Sequence, residues 1–482
     1  MVALVAGLAA GLGHAPFGLW PVALAGFVGL IWAVQGAARP ERVAWVAGAS
    51  YFALTLHWII EPFLVDVERH GWMAPFALIF LAGGLALFWG LAGWLAGKIA
   101  APRALGFVLT LTAAELLRGH IFTGFPWAMP AYIWADTPLR LSVAFVGSYG
   151  LTFLTLLAAG LPFALRNRPL GIGAGVAVLA LAAAPGVLFS DPTDAQRSDL
   201  GQVRIIEPDI DQAEKWDPEK ARGHFNRMLS LTRGPDGPTP DQALVIWPEV
   251  AVVNPLDVAQ PVLSAIGATA GTPFITGINR RQDGNWHNSL VLGDADGSVL
   301  DVYDKVHLVP FGEYIPFRLG FLRQMAGTTS NGFTPGEAVR LIDTPIGRAL
   351  PLICYEGIFP GHPFKAGERA DYILILTNDA WFGTFAGPQQ HFDQARFRAA
   401  EHRLPVVRVA NKGVTAVIDP FGRVDSAQLA AIEDQNYIDA PVLKAAGVPL
   451  YARTGDWPLI AFLALTITAG LWLGRRQSLL KD

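Results

Sequence analysis

The chain has 482 residues, of which 52% are hydrophobic and only 16% are charged, well below the usual quarter. This composition and a mean hydropathy of +0.37 indicate a membrane protein. The net charge of −4 gives no reason to expect nucleic-acid binding, and a single cysteine, Cys354, excludes an internal disulfide.

The charged residues are unevenly distributed, which divides the chain into four predicted parts. Residues 1–190 hold only nine of the 36 Lys and Arg and six of the 40 Asp and Glu, so we predict a membrane bundle of seven helices there. Residues 191–200 are a polar linker, and residues 201–455 form one globular domain. Residues 456–482 add an eighth spanning helix and a short tail.

Eight apolar segments approach the roughly 20 residues that a membrane-spanning helix needs. They cover residues 1–13, 21–35, 43–60, 73–97, 104–117, 141–165, 170–189 and 458–474. A signal peptide is the alternative interpretation of the first segment, but that segment lacks a basic start.

Basic residues between these segments predict the orientation in the membrane. Alternate loops hold the single residues Arg69 and Arg140, besides Arg118 at the end of its segment. The other loops and the tail hold clusters: Arg39 with Arg42, Lys98 with Arg103, Arg166 with Arg168, and Arg475 with Arg476 and Lys481. By the positive-inside rule the clusters and both termini are cytoplasmic, and the globular domain lies outside. In a bacterial envelope this predicts a multi-pass inner-membrane protein with a periplasmic domain, where a lone cysteine remains a free thiol.

The globular domain alternates strand-like and helix-like segments, which indicates α/β layering. Short apolar runs predict strands at residues 203–206, 244–247, 274–277, 299–303, 349–353, 372–376 and 406–409. The most helix-like segment between them covers residues 389–402.

Three residues of acyl-transfer type follow strand-like segments. Cys354 closes the apolar run 348–354, Glu249 closes the run 243–249, and Lys305 follows residues 300–304. A carboxylate accepts a thiol proton and returns it to a leaving group. A cation beside the thiol lowers its pKa and stabilises an oxyanion. Each residue alone has a structural interpretation, but the three together predict a thiol nucleophile presented at the rim of a sheet.

The order Glu, Lys, Cys resembles the nitrilase superfamily over about residues 201–451. The resemblance includes Trp247-Pro-Glu249, Tyr303-Asp-Lys305-Val-His-Leu, Cys354-Tyr-Glu356 and the strand 372–381. It implies an αββα sandwich and a triad that cleaves carbon–nitrogen bonds or transfers acyl groups through a thioester. Soluble amidases of the superfamily often have Asp where this chain has Glu356, which points to another branch.

The whole chain resembles the apolipoprotein N-acyltransferase family. The matching segments are residues 15–21, 115–119, 123–127, 305–314 and 354–356. The resemblance implies transfer of a fatty acyl chain from a phospholipid, typically phosphatidylethanolamine, to the α-amine of the diacylglyceryl-modified N-terminal cysteine of an apolipoprotein. This is the last step of lipoprotein maturation. The implied partners are these two substrates and membrane lipid, with no metal or other cofactor, and we expect a monomer.

The family resemblance implies supporting residues around the triad of Glu249, Lys305 and Cys354. Glu313 is expected to orient Lys305 or the incoming amine, the N–H of Tyr355 to hold the oxyanion, and Glu356 to act as a structural hydrogen-bond acceptor or in the site. Trp216 matches a family tryptophan on a loop, although an anchor at the membrane interface is an equal alternative. His307 is interpreted as structural because Glu249 already supplies the base.

Two other classes of function remain open on the sequence alone. A membrane-anchored amidase or nitrilase would use the same triad with water as the acceptor and a small soluble substrate. A transporter would use the eight spans, but the obvious intramembrane charges, Glu115 and Arg118, lie at i and i+3 and are predicted to pair with each other.

Overall fold

The chain folds into two compact units in the computed structural model, which describes residues 1–188, 198–235, 237, 242–315 and 332–479. The helical unit comprises Met1–Pro192, Phe385–His402 and Val448–Asp482, and the sheet unit comprises Thr193–Thr384 and Arg403–Gly447. The predicted linker at residues 191–200 lies mostly outside the described residues. The division also differs from the predicted domain of residues 201–455, because two segments of that range belong to the helical unit.

Each of the eight predicted apolar segments contains a helix. In chain order these helices are Val2–Gly11, Trp20–Gly36, Pro40–Thr55, Ala74–Ala96, Arg103–Arg118, Val143–Ala164, Arg168–Leu188 and Trp457–Leu479. Shorter helical turns lie between them at His57–Ile60, Glu61–Leu64, Val67–His70, Gly71–Met73, Ile121–Thr123, Pro130–Trp134 and Pro138–Ser142, and Leu450–Thr454 precedes the last helix.

The helices differ in whether they are long enough to cross a membrane. Within the described residues three stretches qualify by length and composition, namely Val67–Ala96, Pro138–Ala164 and Trp457–Gln477. A fourth qualifies if Pro40–Thr55 and His57–Leu64, bent by 64°, count as one span. The helix Val2–Gly11, with 10 residues, is only about 15 Å long, half of a hydrocarbon core of about 30 Å. The eight-span arrangement therefore stays a prediction.

Glu115 and Arg118 form a buried ion pair inside the helical unit, with 2.5 Å between Arg118 Nη2 and Glu115 Oε2. Trp89 Nε1 also donates a hydrogen bond to Glu115 at 2.8 Å, and Arg118 donates to the carbonyl of Trp127 at 2.8 Å. The predicted pairing is confirmed. Both charges have partners within the helical unit, as a structural pair requires.

One helix of the helical unit, Gly387–His402, comes from the middle of the sequence that encodes the sheets. The amide of Gln390 satisfies four groups: it accepts from the indoles of Trp58 and Trp127, at 3.2 and 2.8 Å, and donates to the carbonyls of Ala15 and Thr55, at 2.9 and 3.1 Å. All of these groups belong to the helical unit. A buried amide with every partner in place binds this helix specifically to its neighbours.

The sheet unit contains two sheets. The strands of the six-stranded sheet are β1 (Asp199–Ile206), β2 (Gln242–Ile246), β3 (Phe274–Gln282), β4 (Asn285–Gly293), β5 (Val299–Asp304) and β11 (Tyr437–Leu443), in the order β11-β1-β2-β3-β4-β5. Those of the five-stranded sheet are β6 (Ile342–Thr344), β7 (Gly347–Ile353), β8 (Tyr372–Thr377), β9 (Val406–Ala410) and β10 (Ala416–Ile418), in the order β10-β9-β8-β7-β6. The strands β1, β2 and β3 are parallel, as are β7, β8 and β9.

The two sheets pack face to face around one hydrophobic core, which contains side chains of all eleven strands. A second cluster covers the other face of the six-stranded sheet with the helices Pro218–Arg233 and Gln260–Ala270. The short helices His362–Lys365 and Ser426–Gln435 complete the unit.

Local sequence signals account for the ends of the covering helix Pro218–Arg233. The Asp217 side chain accepts a hydrogen bond from the N–H of Glu219, Pro218 occupies the first turn, and Gly234 ends the helix at φ +63°. These are the residue types that helix starts and ends favour.

Candidate active site

Cys354 lies where the parallel strand β7 ends. The strand stops at Ile353, and Cys354 begins a helical turn with a φ of +51°. A residue with a β-carbon rarely adopts this left-handed conformation, and such strain persists only where the surroundings enforce it. The thiol is 6% exposed. The predicted presentation of the cysteine at a tight turn after a strand is thus the observed geometry.

Glu356 connects the cysteine turn to the segment that follows Lys305. Its Oε2 accepts from the N–H of Ile353 at 2.8 Å, and its Oε1 accepts from the N–H groups of Val306 and His307 at 2.9 and 3.0 Å. The carboxylate is fully buried. Three backbone donors on one carboxylate hold the two segments in a fixed relation, which requires a side chain with two accepting oxygens.

Glu249 lies in a tight turn after β2. The next residue, Val250, has a φ of +46°, and the N–H of Gly277 on β3 donates to the carbonyl of Pro248 at 3.1 Å. A β-carbon on Gly277 would lie 2.6 Å from the Cα of Glu249. Only glycine permits this approach, so β3 determines the position of the Glu249 backbone.

Lys305 follows β5 and lies between two carboxylates. Its Nζ donates to Glu313 Oε1 at 2.9 Å and lies 3.7 Å from Glu249 Oε1. The other oxygen of Glu313 accepts from the N–H of Val309 at 2.7 Å. The ammonium group is 1% exposed. These hydrogen bonds are compatible with the expected role of Glu313 in orienting Lys305.

The electrostatic surroundings oppose ionisation of the thiol at rest. Burial raises the pKa of Cys354, the charge of Glu249 raises it further, and the charge of Lys305 lowers it by less. The sequence-based expectation of a lowered pKa holds only for the contribution of Lys305. Burial lowers the pKa of Lys305, but Glu313, Glu249 and Cys354 raise it by more, so the lysine keeps its proton. A neutral thiol beside a fixed cation needs a base to react.

Tyr355, His307 and Trp216 surround this cluster differently. The rings of Tyr355 and His307 form a T-shaped pair with 5.5 Å between their centroids, and His307 also stacks on Phe359 with 4.1 Å between the centroids. His307 Nδ1 is 3.1 Å from His362 Nε2, which supports its structural interpretation. The Trp216 side chain is 52% exposed, compatible with either interpretation of this residue.

Comparison with known proteins gives two matching domains. The apolipoprotein N-acyltransferase N-terminal domain matches residues 6–161, and the carbon-nitrogen hydrolase domain matches residues 205–434. Apolipoprotein N-acyltransferase of Caulobacter vibrioides is 37% identical over 98% of this chain and 93% of its own length. The enzyme of the same name from Rhodopseudomonas palustris is 35% identical over 97% of this chain and 94% of its own length.

The chain belongs to the apolipoprotein N-acyltransferase family. The carbon-nitrogen hydrolase match identifies the two-sheet unit as nitrilase-like, in agreement with the predicted fold. Among solved structures, Saccharomyces cerevisiae Nit3, a member of branch 10 of the nitrilase superfamily, aligns with a TM-score of 0.36 at 19% identity, over 52% of this chain and 93% of that chain.

Two residues of this family member's site were not singled out by the sequence. Asn288 on β4 donates from Nδ2 to Glu249 Oε1 at 2.8 Å and to Glu313 Oε1 at 3.1 Å. Lys215 is 4% exposed, and its Nζ donates to the backbone carbonyl of Glu249 at 3.1 Å. A polar residue in the apolar stretch of β4 was the available signal for Asn288. Nothing in the local sequence distinguished Lys215 from a solvated lysine beside Trp216.

No group of three or more His, Cys, Asp or Glu among the described residues could hold a metal ion. The groups that the site brings together are the Cys354 thiol, the Glu249 carboxylate, the Lys305 ammonium group and backbone N–H donors.

Proposed function

We propose that this chain transfers a fatty acyl chain from a phospholipid to the α-amine of the diacylglyceryl-modified N-terminal cysteine of apolipoproteins, with Cys354 as the covalent carrier. Phosphatidylethanolamine is the proposed donor. The observation that carries the proposal is the buried thiol at a strained turn beside Lys305, whose ammonium lies between Glu249 and Glu313. The family membership supplies the two substrates.

The first half-reaction forms a thioester. Glu249 takes the proton of Cys354, and the thiolate attacks the ester carbonyl of the phospholipid. Lys305 and the N–H of Tyr355 stabilise the resulting oxyanion, because preorganised donors are strongest in a site without water. The carbon–oxygen bond of the ester then breaks, the proton on Glu249 passes to the leaving alkoxide, and lysophospholipid departs.

The second half-reaction transfers the acyl group to nitrogen. The α-amine of the apolipoprotein attacks the thioester carbonyl, and Glu249 accepts a proton from the attacking nitrogen. The carbon–sulfur bond breaks, an amide forms, and the proton returns to the sulfur of Cys354. Splitting one difficult transfer into two steps is the advantage of a covalent carrier.

The supporting residues have distinct proposed roles. Glu313 and Asn288 hold Lys305 and Glu249 through the hydrogen bonds described above. Glu356 positions the segments that carry Cys354 and Lys305. Trp216, exposed beside the buried Lys215, is proposed to contact a lipid substrate.

The proposed setting is the bacterial inner membrane, with eight spans, cytoplasmic termini and a periplasmic sheet unit. The alternating basic loops support this orientation. The enzyme is proposed to act as a monomer, because one chain supplies every proposed catalytic residue.

Incubation of the purified protein with phospholipid alone tests the proposal. Mass spectrometry of the intact protein should reveal one acyl adduct, which is absent in Cys354→Ala and disappears when a diacylglyceryl peptide with a free α-amine is added. Lysophospholipid should not exceed the amount of enzyme before that addition. Continuous release without an amine would support the hydrolase alternative and refute the transferase.

A further inference from the structure

A second buried lysine contacts the backbone of the proposed base Glu249, and its charge interacts with that of Cys354. Lys215 is 4% exposed, in the loop between β1 and the helix Pro218–Arg233. Its Nζ donates to the carbonyl oxygen of Glu249 at 3.1 Å and leaves the Glu249 carboxylate to Asn288. In this hydrogen bond the ammonium group thus contacts an uncharged carbonyl oxygen and not a carboxylate oxygen.

The loop that carries Lys215 is anchored on both sides of it. The N–H of Lys215 donates to the carbonyl of Asp211 at 3.1 Å, which closes one turn. Asn378, directly after β8, donates to Gln212 Oε1 at 2.7 Å. On the other side, Asp217 caps the helix Pro218–Arg233. These bonds fix the loop backbone on both sides of Lys215, and the bond to Glu249 fixes the end of its side chain.

We propose that Lys215 is a positioning residue for acyl transfer, which holds the backbone of Glu249 and places a second positive charge that favours the Cys354 thiolate. The inference rests on the proposed role of Cys354 as nucleophile. It adds a cation to the site beyond Lys305.

The charges around the thiol support this role. One hydrogen-bonded group of charges consists of the anions Glu249 and Glu313 and the cations Lys305 and Lys215. Two further carboxylates are near: Asp379, whose charge acts on Cys354, is paired with Arg408 at 2.5 Å, and Glu356 is held by backbone N–H groups. When both lysines are charged and the thiol is neutral, the charges of the four hydrogen-bonded groups sum to zero. The sum is still zero after the thiol proton moves to Glu249, because the Cys354 thiolate then replaces the Glu249 carboxylate as an anion. Without the charge of Lys215 the buried thiolate would lie in a cluster with a net negative charge, which a low-dielectric site strongly disfavours.

The same surroundings make the charge of Lys215 dependent on pH. Burial lowers its pKa to about 8, although the charges of Glu249 and Cys354 raise it. The nearest acid on its own loop, Glu214, is paired with Lys220 at 2.6 Å. Lys215 therefore carries its charge below about pH 8 and loses it above that pH, while Lys305, whose pKa is raised, stays charged.

The single cysteine makes a direct test possible, because iodoacetamide can alkylate a thiol only at Cys354. Alkylation rates would be measured in nanodiscs from pH 6 to pH 10 for the wild type, Lys215→Met, Lys215→Arg and the exposed control Lys220→Met. We expect Lys215→Met to react about tenfold more slowly at pH 7, which corresponds to about one unit in the thiol pKa. This difference in alkylation rate between the wild type and Lys215→Met should disappear above about pH 9, where wild-type Lys215 is neutral. In the wild type the rate should rise less steeply with pH above pH 8, because Lys215 loses its charge there. Lys215→Arg should match the wild-type rate at pH 7 and keep its steep rise above pH 8, since arginine stays charged.

Two results would overturn the proposal. Equal rates of the wild type and Lys215→Met at pH 7 would exclude an electrostatic role, and a gap that does not change with pH would indicate packing or access alone. If Lys215→Met does not fold, the wild type and Lys215→Arg still test the proposal. Identical slopes of alkylation rate against pH for these two proteins above pH 8 would contradict it. Failure of Cys354 to form an acyl adduct would refute the proposed function. The alkylation rates would still measure the effect of Lys215 on the Cys354 thiol, because they do not depend on acyl transfer.

Discussion

The carboxylate of Glu249 is held by Asn288 more closely than by Lys305: the Asn288 Nδ2 to Glu249 Oε1 distance is 2.8 Å, whereas Lys305 Nζ is 3.7 Å away. The ammonium of Lys305 makes its short contact with Glu313 instead, at 2.9 Å. The neutral amide of Asn288 orients the proposed base without adding a charge in direct contact with it. The proposed base and the proposed oxyanion-stabilising cation are thus linked through Asn288, which donates to Glu249 and, at 3.1 Å, to the Glu313 carboxylate that holds Lys305.

Glu249→Gln should abolish formation of the thioester, because an amide keeps the place of the carboxylate but cannot accept the thiol proton. We expect the rate of acyl-adduct formation to fall by about 10²- to 10⁴-fold. Mass spectrometry of the protein after incubation with phospholipid measures this rate. Glu368→Gln, at an exposed pair with Arg348, is the matched control and should react normally. Normal turnover of Glu249→Gln would remove Glu249 from the mechanism.

Lys305→Arg should also fail, although the charge is retained. The ammonium group fits between Glu313 and Glu249 in a buried site, and a planar guanidinium has a different size and direction of donors. Loss of one oxyanion donor lowers kcat by about 10²- to 10³-fold. The burst of lysophospholipid per enzyme is the measurement, with Lys220→Arg on the surface as control. A full burst from Lys305→Arg would contradict a specific role for the ammonium group.

Gly277→Ala should impair the reaction without touching any proposed catalytic side chain. The added β-carbon would lie 2.4 Å from the backbone nitrogen of Val250 and 2.6 Å from the Cα of Glu249, so the turn must move. A displacement of the base by about 1 Å lowers the rate about a hundredfold. Adduct formation would be compared with that of Gly223→Ala, because Gly223 has open space around it. That control should keep full activity, and equal activity of both variants would show that the turn tolerates the change.

Glu356 should make the stability of the enzyme depend on pH in an unusual direction. Burial raises its pKa from 4.5 to about 6, although the N–H groups of Ile353 and His307 lower it. The folded state therefore binds the proton more tightly than the unfolded state, and the associated stability is present below pH 4.5 and lost as the pH rises through about 6. Relative to Glu356→Gln, the wild type should lose about 2 kcal/mol of unfolding free energy over this range. Unfolding temperatures of both proteins from pH 4 to pH 7 test this, and a constant difference would contradict it.

The membrane topology has its own test. A reporter that is active only outside the cytoplasm should work when fused at Arg197 and fail at Arg42 or Arg168, because the basic loops are expected inside. Activity at Arg168 would contradict the eight-span arrangement.

The sequence predicted the parts of the site that depend on strand ends. Glu249, Lys305 and Cys354 each follow an apolar run, and in the structure they lie after β2, β5 and β7. The apolar runs predicted these strand ends but not which of them meet, because β2 and β5 are not neighbours in their sheet and β7 belongs to the other sheet. Asn288 could not be found in this way, because its role comes from the neighbouring strand. Lys215 depends on burial of a loop, which no local pattern reveals.

The helical part was predicted in outline and not in detail. A helix occurs in every apolar segment, but helix length could not be read from hydropathy, as the 10 residues of Val2–Gly11 show. The helix Gly387–His402 looked like any helix between two strands. Its membership in the helical unit depends on the partners of Gln390, which are distant in sequence: Ala15, Thr55, Trp58 and Trp127.

The four hydrogen bonds of Gln390 also limit how this enzyme can be dissected in the laboratory. A soluble fragment cut at residues 201 and 447 would retain the helix Gly387–His402 but lose the indoles and carbonyls that satisfy its buried amide. The same fragment would strip Glu401 of Ser148, whose N–H donates to it at 2.9 Å. Biochemical work on the catalytic site therefore requires the intact chain in a lipid or detergent environment.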